Sequence, residues 1–194
     1  MSKADKTKEL IIQKTAGIFN TKGFSGTSLA DMTDVTGLTK GSIYGNFKNK
    51  NEVAMEAFKF NLQIMNHLFA NEMVKKNTFR DKLLVYSEVV GEFSEAKFPH
   101  GGCPILNTAV ESDDTHPELK QKAQKALLGW KDSIVELLQS GIETGEFKPE
   151  LNTEQVAITM LASLEGAIMI RKLTDSQEYI QLIMKSLKDY IEKL

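Results

Sequence analysis

Residues 27–50, TSLADMTDVTGLTKGSIYGNFKNK, read as two short helices joined by a tight turn and followed by the start of a long helix. Ser28 can cap a first helix with Asp31 three residues on, and Leu29, Met32 and Val35 then fall on one face. Gly37 ends that helix, because glycine takes the positive φ of a helix end without a Cβ clash. Leu38 buries beneath the turn, and Thr39 can cap a second helix whose inward residues are Ile43 and Phe47. Lys40, Ser42, Tyr44 and Asn46 are left facing outward. They are a cation, a hydroxyl, a phenol and an amide on a helix narrow enough for the major groove of a duplex.

With Gly37 as the turn glycine, the small position four residues earlier is Thr33 and the apolar anchor six residues later is Ile43. Ile43 fits well and Thr33 passably, since alanine is usual where two such helices cross. On spacing alone the pair could equally belong to some other helical domain. The flanks decide between the two readings. Residues 11–53 resemble the TetR/AcrR family of bacterial repressors through Ile18-Phe19-Asn20-Thr21-Lys22-Gly23-Phe24, Thr27-Ser28, Gly37-Leu38-Thr39-Lys40-Gly41-Ser42-Ile43-Tyr44, Phe47 and Lys50. Departures are Thr33 and Thr36, where alanines are common, and Asn46, where histidine is usual. They bear on base preference rather than on fold.

The resemblance implies an all-α chain. A three-helix DNA-binding domain containing the helix-turn-helix would occupy residues 1–48, and a larger helical ligand-binding and dimerisation domain residues 49–194. It implies a repressor that binds a palindromic operator of double-stranded DNA as a homodimer and is released by a small-molecule inducer. The expected DNA-facing set is Thr27, Ser28, Thr39, Lys40, Gly41, Ser42, Tyr44, Asn46 and Lys50. Within it Thr27, Ser28, Tyr44 and Lys50 would hold phosphates, and Lys40 and Ser42 would lie nearest the bases.

Charge is distributed in keeping with this. Residues 1–50 hold eight lysines against four acids, a net of +4, whereas the 16 cations and 22 acids of residues 51–194 leave −6. A basic end on an acidic body suits a protein that offers one end to phosphates, although a lysine run is more often a solvated face. The 194 residues allow a small unit plus one larger core. A single cysteine excludes an internal disulfide, and no apolar run approaches the ~20 residues of a membrane span. The first six residues lack the apolar segment of a secretory signal, so a cytoplasmic location is expected.

Along the chain every strong periodicity is helical. Lys3, Lys6 and Lys8 could form an arm on the DNA or a solvated tail ahead of a helix from about residue 6 to 22, which Gly23 stops. After the reader helix, Asn49 and Glu52 form a capping pair for a long helix apolar on two faces, with Val53, Ala57, Phe60, Ile64 and Leu68 on one and Met55, Phe58, Leu62, Met65 and Phe69 on the other. Further helices are expected over 79–93, 105–111, 118–142, 153–173 and 175–194. His100-Gly101-Gly102-Cys103-Pro104 and residues 112–117 read as loops. Small residues Ala162, Ser163, Gly166 and Ala167 permit close backbone approach, and the resemblance makes helices 118–142 and 153–173 the dimer interface; core packing is the competing reading.

Phe69, Tyr86, Phe93, Cys103, Asn107, Trp130 and Glu165 are candidate ligand-binding residues, chosen as aromatic or polar groups on inward faces. Each is also well explained as core. Cys103, in a Gly-Gly-Cys-Pro loop with His100 near, is either a reactive thiolate or a small apolar filler. His100 with Cys103, or Asp113 and Asp114 with His116, are too few for a convincing metal site, and loop polarity explains them equally. No cofactor is called for. No nucleophile elbow, phosphate loop or paired-histidine motif points to an enzyme. The alternative to a DNA-binding regulator is a helical small-molecule or electrophile sensor that does not bind DNA usefully.

Overall fold

The computed structural model describes residues 2–94, 96–112 and 116–194, and among these the regular structure is entirely helical. The chain folds as two compact units. Two helices, α4 (Lys50–Met73) and α7 (Pro117–Glu143), run through both, so neither unit is one continuous stretch of sequence.

The first unit comprises residues 1–65 and 98–124. It contains α1 (Lys3–Gly26), α2 (Leu29–Thr36), α3 (Lys40–Asn46), the first part of α4, and α6 (Pro104–Ser112). Helix α1 packs on α2, α3 and α6, because Ile11, Ala16 and Phe19 form its buried stripe. Met32 of α2, Ile43 of α3 and Val53 and Ala57 of α4 are completely buried, with Phe47 and Phe58 nearly so. Full burial of side chains this size contributes about 1.5–3 kcal/mol each, which allows such short helices to be held by packing.

Helix α1 begins at Lys3, three residues earlier than the periodicity alone suggests. Ser2 and Asp5 form a reciprocal capping box, with Asp5 N donating to Ser2 Oγ at 3.1 Å and Ser2 N to Asp5 Oδ2 at 2.8 Å. Lys3 and Lys6 are therefore helical and exposed, not an extended arm. Lys8 faces Glu52 at 3.8 Å and lies 5.0 Å from the centre of the Phe47 ring.

The second unit comprises residues 66–97 and 125–194, with the end of α4, α5 (Phe79–Gly91), the rest of α7, α8 (Thr153–Thr174) and α9 (Gln177–Glu192). Helices α5, α8 and α9 pack on one another around Leu83, Val85, Met160, Ile180 and Ile191. Thr78, Asn152 and Ser176 cap α5, α8 and α9, each accepting from the backbone N–H three residues on. Arg80 closes the bundle end, donating from Nη1 to the Ile191 carbonyl at 2.6 Å and from Nη2 to the Glu146 carbonyl at 3.1 Å. Residues 113–115 fall outside the described residues, and with them the possible ligands Asp113 and Asp114.

Candidate nucleic-acid interface

The two-helix element forms as its local chemistry dictates. Ser28 and Asp31 make a full capping box at the start of α2, and the Lys22 ammonium also reaches the Asp31 carboxylate. Hydrogen bonding from Lys22, then from the Ser28 side chain and backbone, holds the Asp31 carboxyl well below the ordinary carboxylate range. Gly37 ends α2 in the left-handed region (φ 68, ψ 14), its N–H returning to the Thr33 carbonyl at 2.8 Å. Thr33 is half-buried, with its hydroxyl bonded to the Ala30 carbonyl at 2.8 Å. Thr39 then caps α3 by accepting from Ser42 N at 3.2 Å.

Ile43 and Phe47 turn inward as expected and leave a polar outer side on α3. Thr39, Lys40 and Gly41 are exposed, and Ser42, Tyr44 and Asn46 half-exposed. The Asn46 amide donates to the Ser42 carbonyl at 2.9 Å, so one of its polar groups is tied to its own helix. Gly45 and Lys48 are exposed as well, although neither stands out in the sequence pattern. Ser28 is exposed at the α2 start.

Two of the expected phosphate ligands, Thr27 and Lys50, have partners within the frame. Thr27 is 1% exposed, and its hydroxyl donates to the Gly23 carbonyl at 2.6 Å. Lys50 is half-buried. Its ammonium donates to the carbonyls of Phe24 at 2.7 Å and Thr27 at 2.9 Å and lies 4.2 Å from the Phe24 ring centre. A lysine that near the DNA-facing helices reads from sequence as a phosphate contact, but here its acceptors are peptide carbonyls of the last turn of α1 and of Thr27. The α4 start is capped by Asn49, which accepts from Glu52 N at 2.9 Å, while Glu52 accepts from Lys48 N at 2.7 Å.

The candidate ligand residues divide between the units. Phe69, Tyr86 and Trp130 meet in the second: Phe69 lies 5.0 Å from Tyr86 and 5.7 Å from Trp130 between ring centres, and Trp130 Nε1 donates to Asn66 Oδ1 at 2.7 Å. Burial pushes the Tyr86 phenol up to about 12. Phe93 follows α5, its N–H on the Val90 carbonyl at 3.0 Å, and Glu165 is half-buried on α8.

Cys103 and Asn107 belong to the first unit. The Asn107 amide donates to the Gly101 carbonyl at 2.8 Å and the Asn20 carbonyl at 3.0 Å, while Asn20 Nδ2 donates to the carbonyls of His100 and Gly102 at 2.8 and 2.9 Å. The pair fastens the 100–102 loop to α1, which gives Asn107 a place in the frame. Cys103 beside it is 1% exposed, so its thiol lacks the access that reaction with an electrophile requires.

A capped helix pair crossed at a glycine turn, its second helix polar outward and borne by an all-helical chain, is the architecture of a helix-turn-helix transcription regulator. Residues 11–57 match the family model described as bacterial regulatory proteins, tetR family, and residues 80–187 match the tetracyclin repressor-like C-terminal domain. The chain belongs to the TetR family of transcriptional regulators.

It is 43% identical to a TetR-family transcriptional regulator from Cytophaga hutchinsonii, whose crystal structure superposes with a TM-score of 0.95 over 100% of this chain and 97% of that one. A TetR transcriptional regulator from Chloroflexus aurantiacus is 32% identical, with a TM-score of 0.94 over 100% and 98% of the two chains. The HTH-type transcriptional regulator TtgR of Pseudomonas putida is 28% identical over 171 residues, which span 85% of this chain and 80% of that protein.

Proposed function

We propose that the protein is a ligand-responsive repressor that binds a palindromic DNA operator as a homodimer and leaves it when a small molecule binds. The observation that carries this reading is α3: a short helix anchored by Ile43 and Phe47 that presents Thr39, Lys40, Gly41, Ser42, Tyr44 and Asn46 outward. Such a helix enters one major groove, and twofold symmetry would set its copy one helical turn, about 34 Å, along the duplex. Lys40 and Ser42 would approach base edges, while Ser28 and Tyr44 hold phosphates. Residues 1–48 would then be the DNA-binding part, and 49–194 the part that dimerises and takes the ligand.

Dimerisation through α7 and α8 is supported by the outer side of α8. Ile158, Ala162, Met169 and Leu173 are exposed at helical spacing, and Leu128 of α7 is 47% exposed. Tyr179 and Leu182 of α9 are exposed apolar side chains as well. The Phe69, Tyr86 and Trp130 cluster is where an apolar inducer would bind. A ligand releases DNA only through a difference in its affinity for the two conformers, so tight binding alone would not induce.

A mobility-shift titration with the duplex upstream of the protein's own gene, repeated across salt concentrations, tests this function. Retention that weakens steeply with salt supports it. Absence of any salt-sensitive retention would leave a helical sensor without DNA binding. A thermal-shift screen of metabolites, drugs and electrophiles would then identify the inducer class.

A further inference from the structure

We infer that Glu111 of α6 is a positioning residue for DNA binding: it fixes the bend between α1 and α2 and thereby the aim of the reader helix. This rests on the DNA-binding reading above. Helix α1 leaves the helical path at Gly23 (φ 73, ψ −179), and the next two backbone N–H groups both turn to a side chain 87 and 86 residues away. Phe24 N donates to Glu111 Oε2 and Ser25 N to Glu111 Oε1, each at 2.8 Å. One carboxylate therefore takes two charge-assisted bonds from adjacent peptides, which fixes the plane of the turn as well as its position.

The surroundings make the arrangement specific. A Cβ on Gly23 would push the Glu111 carboxylate off its present position, and the φ of 73 is one that glycine adopts without strain. Carbonyls of the same segment are held by a cation, Lys50, which donates to those of Phe24 and Thr27. His116 packs edge-on against the Phe24 ring, 4.3 Å between centres. A carboxylate thus holds two N–H groups of this segment and an ammonium holds two of its carbonyls. Since Thr27 and Ser28 lead directly from this segment into α2, these bonds set where α2 and α3 point.

Glu111→Ala and Glu111→Gln are compared with the wild-type chain well below their melting temperatures, by hydrogen exchange resolved at Phe24 and Ser25 and by anisotropy with the upstream duplex. Alanine is expected to speed exchange at both amides tenfold or more, to leave α5 and α9 amides unchanged, and to weaken operator binding at least tenfold. Glutamine keeps one acceptor oxygen and is expected to fall between alanine and the wild type on both readouts. Unchanged exchange at Phe24 and Ser25 would overturn the clasp. Faster exchange with operator affinity within twofold of wild type would overturn the positioning role. Failure of the wild-type chain itself to bind DNA would instead remove the regulator reading, while the exchange arm still judges the clasp.

Discussion

Lys50 donates its ammonium to the Thr27 carbonyl at 2.9 Å, tying the first residue of α4 to the last residue before the α2 cap. A hydrogen bond to a charged group is worth about 1.5–3 kcal/mol net, and Lys50 makes a second to Phe24. Lys50→Ala is therefore expected to lower stability by about 2 kcal/mol in urea unfolding. Exposed Lys48, two residues past α3, makes the contrast. Lys48→Ala should leave stability within about 0.5 kcal/mol and, if Lys48 holds a phosphate, reduce the salt slope of DNA binding by roughly 0.9 per protomer. Equal stability of the two variants would show that Lys50 does not secure the loop.

Gly23→Ala should destabilise the first unit by about 2 kcal/mol or more, since alanine meets both a left-handed φ and the Glu111 carboxylate. Gly26→Ala, at an ordinary φ with only the Lys22 Cβ at 3.4 Å, should be nearly neutral. Chemical unfolding of both variants checks the difference. A Gly23→Ala protein as stable as Gly26→Ala would mean that α1 does not depend on a glycine at its bend.

Alkaline stability should depend on Tyr86. Its phenol ionises near 10.0 in the unfolded chain and about 12 in the folded one, because burial disfavours the phenolate. A raised folded value means that the stabilisation is complete below pH 10 and is lost as pH rises from 10 toward 12, an effect on the order of 3 kcal/mol. Tyr86→Phe removes the titrating group, so its stability should fall less over that interval. Parallel curves for the two proteins would refute the assignment.

The exposed stripe on α8 predicts the assembly. Ile158→Asp combined with Met169→Asp, both at positions about half exposed in the single chain, should shift sedimentation from dimer to monomer without altering helix content. A dimer that survives both charges would place the interface elsewhere.

The parts legible in the sequence are those with local causes. The α2–α3 pair follows from Ser28, Asp31, Gly37 and Thr39, whose capping partners lie within four residues, and the same is true of the later helix starts at Thr78, Asn152 and Ser176. The apolar period also gave α7 and α8 to within a residue. Illegible were contacts between distant stretches. Asn107 is a polar residue on an apolar helix in sequence, and nothing there reveals Asn20, 87 residues away, as its partner. Lys50 and Thr27 suit phosphate binding by residue type, and only the fold shows that peptide carbonyls lie nearer. The Ser2–Asp5 box at the start of α1 is a local signal too, masked by lysines that read equally as an arm or a solvated tail.

The most direct test of the account replaces outward side chains of α3 and leaves its anchors alone. The tightest-binding duplex is selected from the region upstream of the gene, and its affinity and that of a random duplex are measured by anisotropy for the wild type and for a Lys40→Ala, Ser42→Ala double variant. With α3 as the reader, the variant melts like the wild type, loses about tenfold or more for the selected duplex and changes far less for the random one. A folded variant that still prefers the selected duplex as strongly as the wild type does would contradict the claim that α3 reads the DNA.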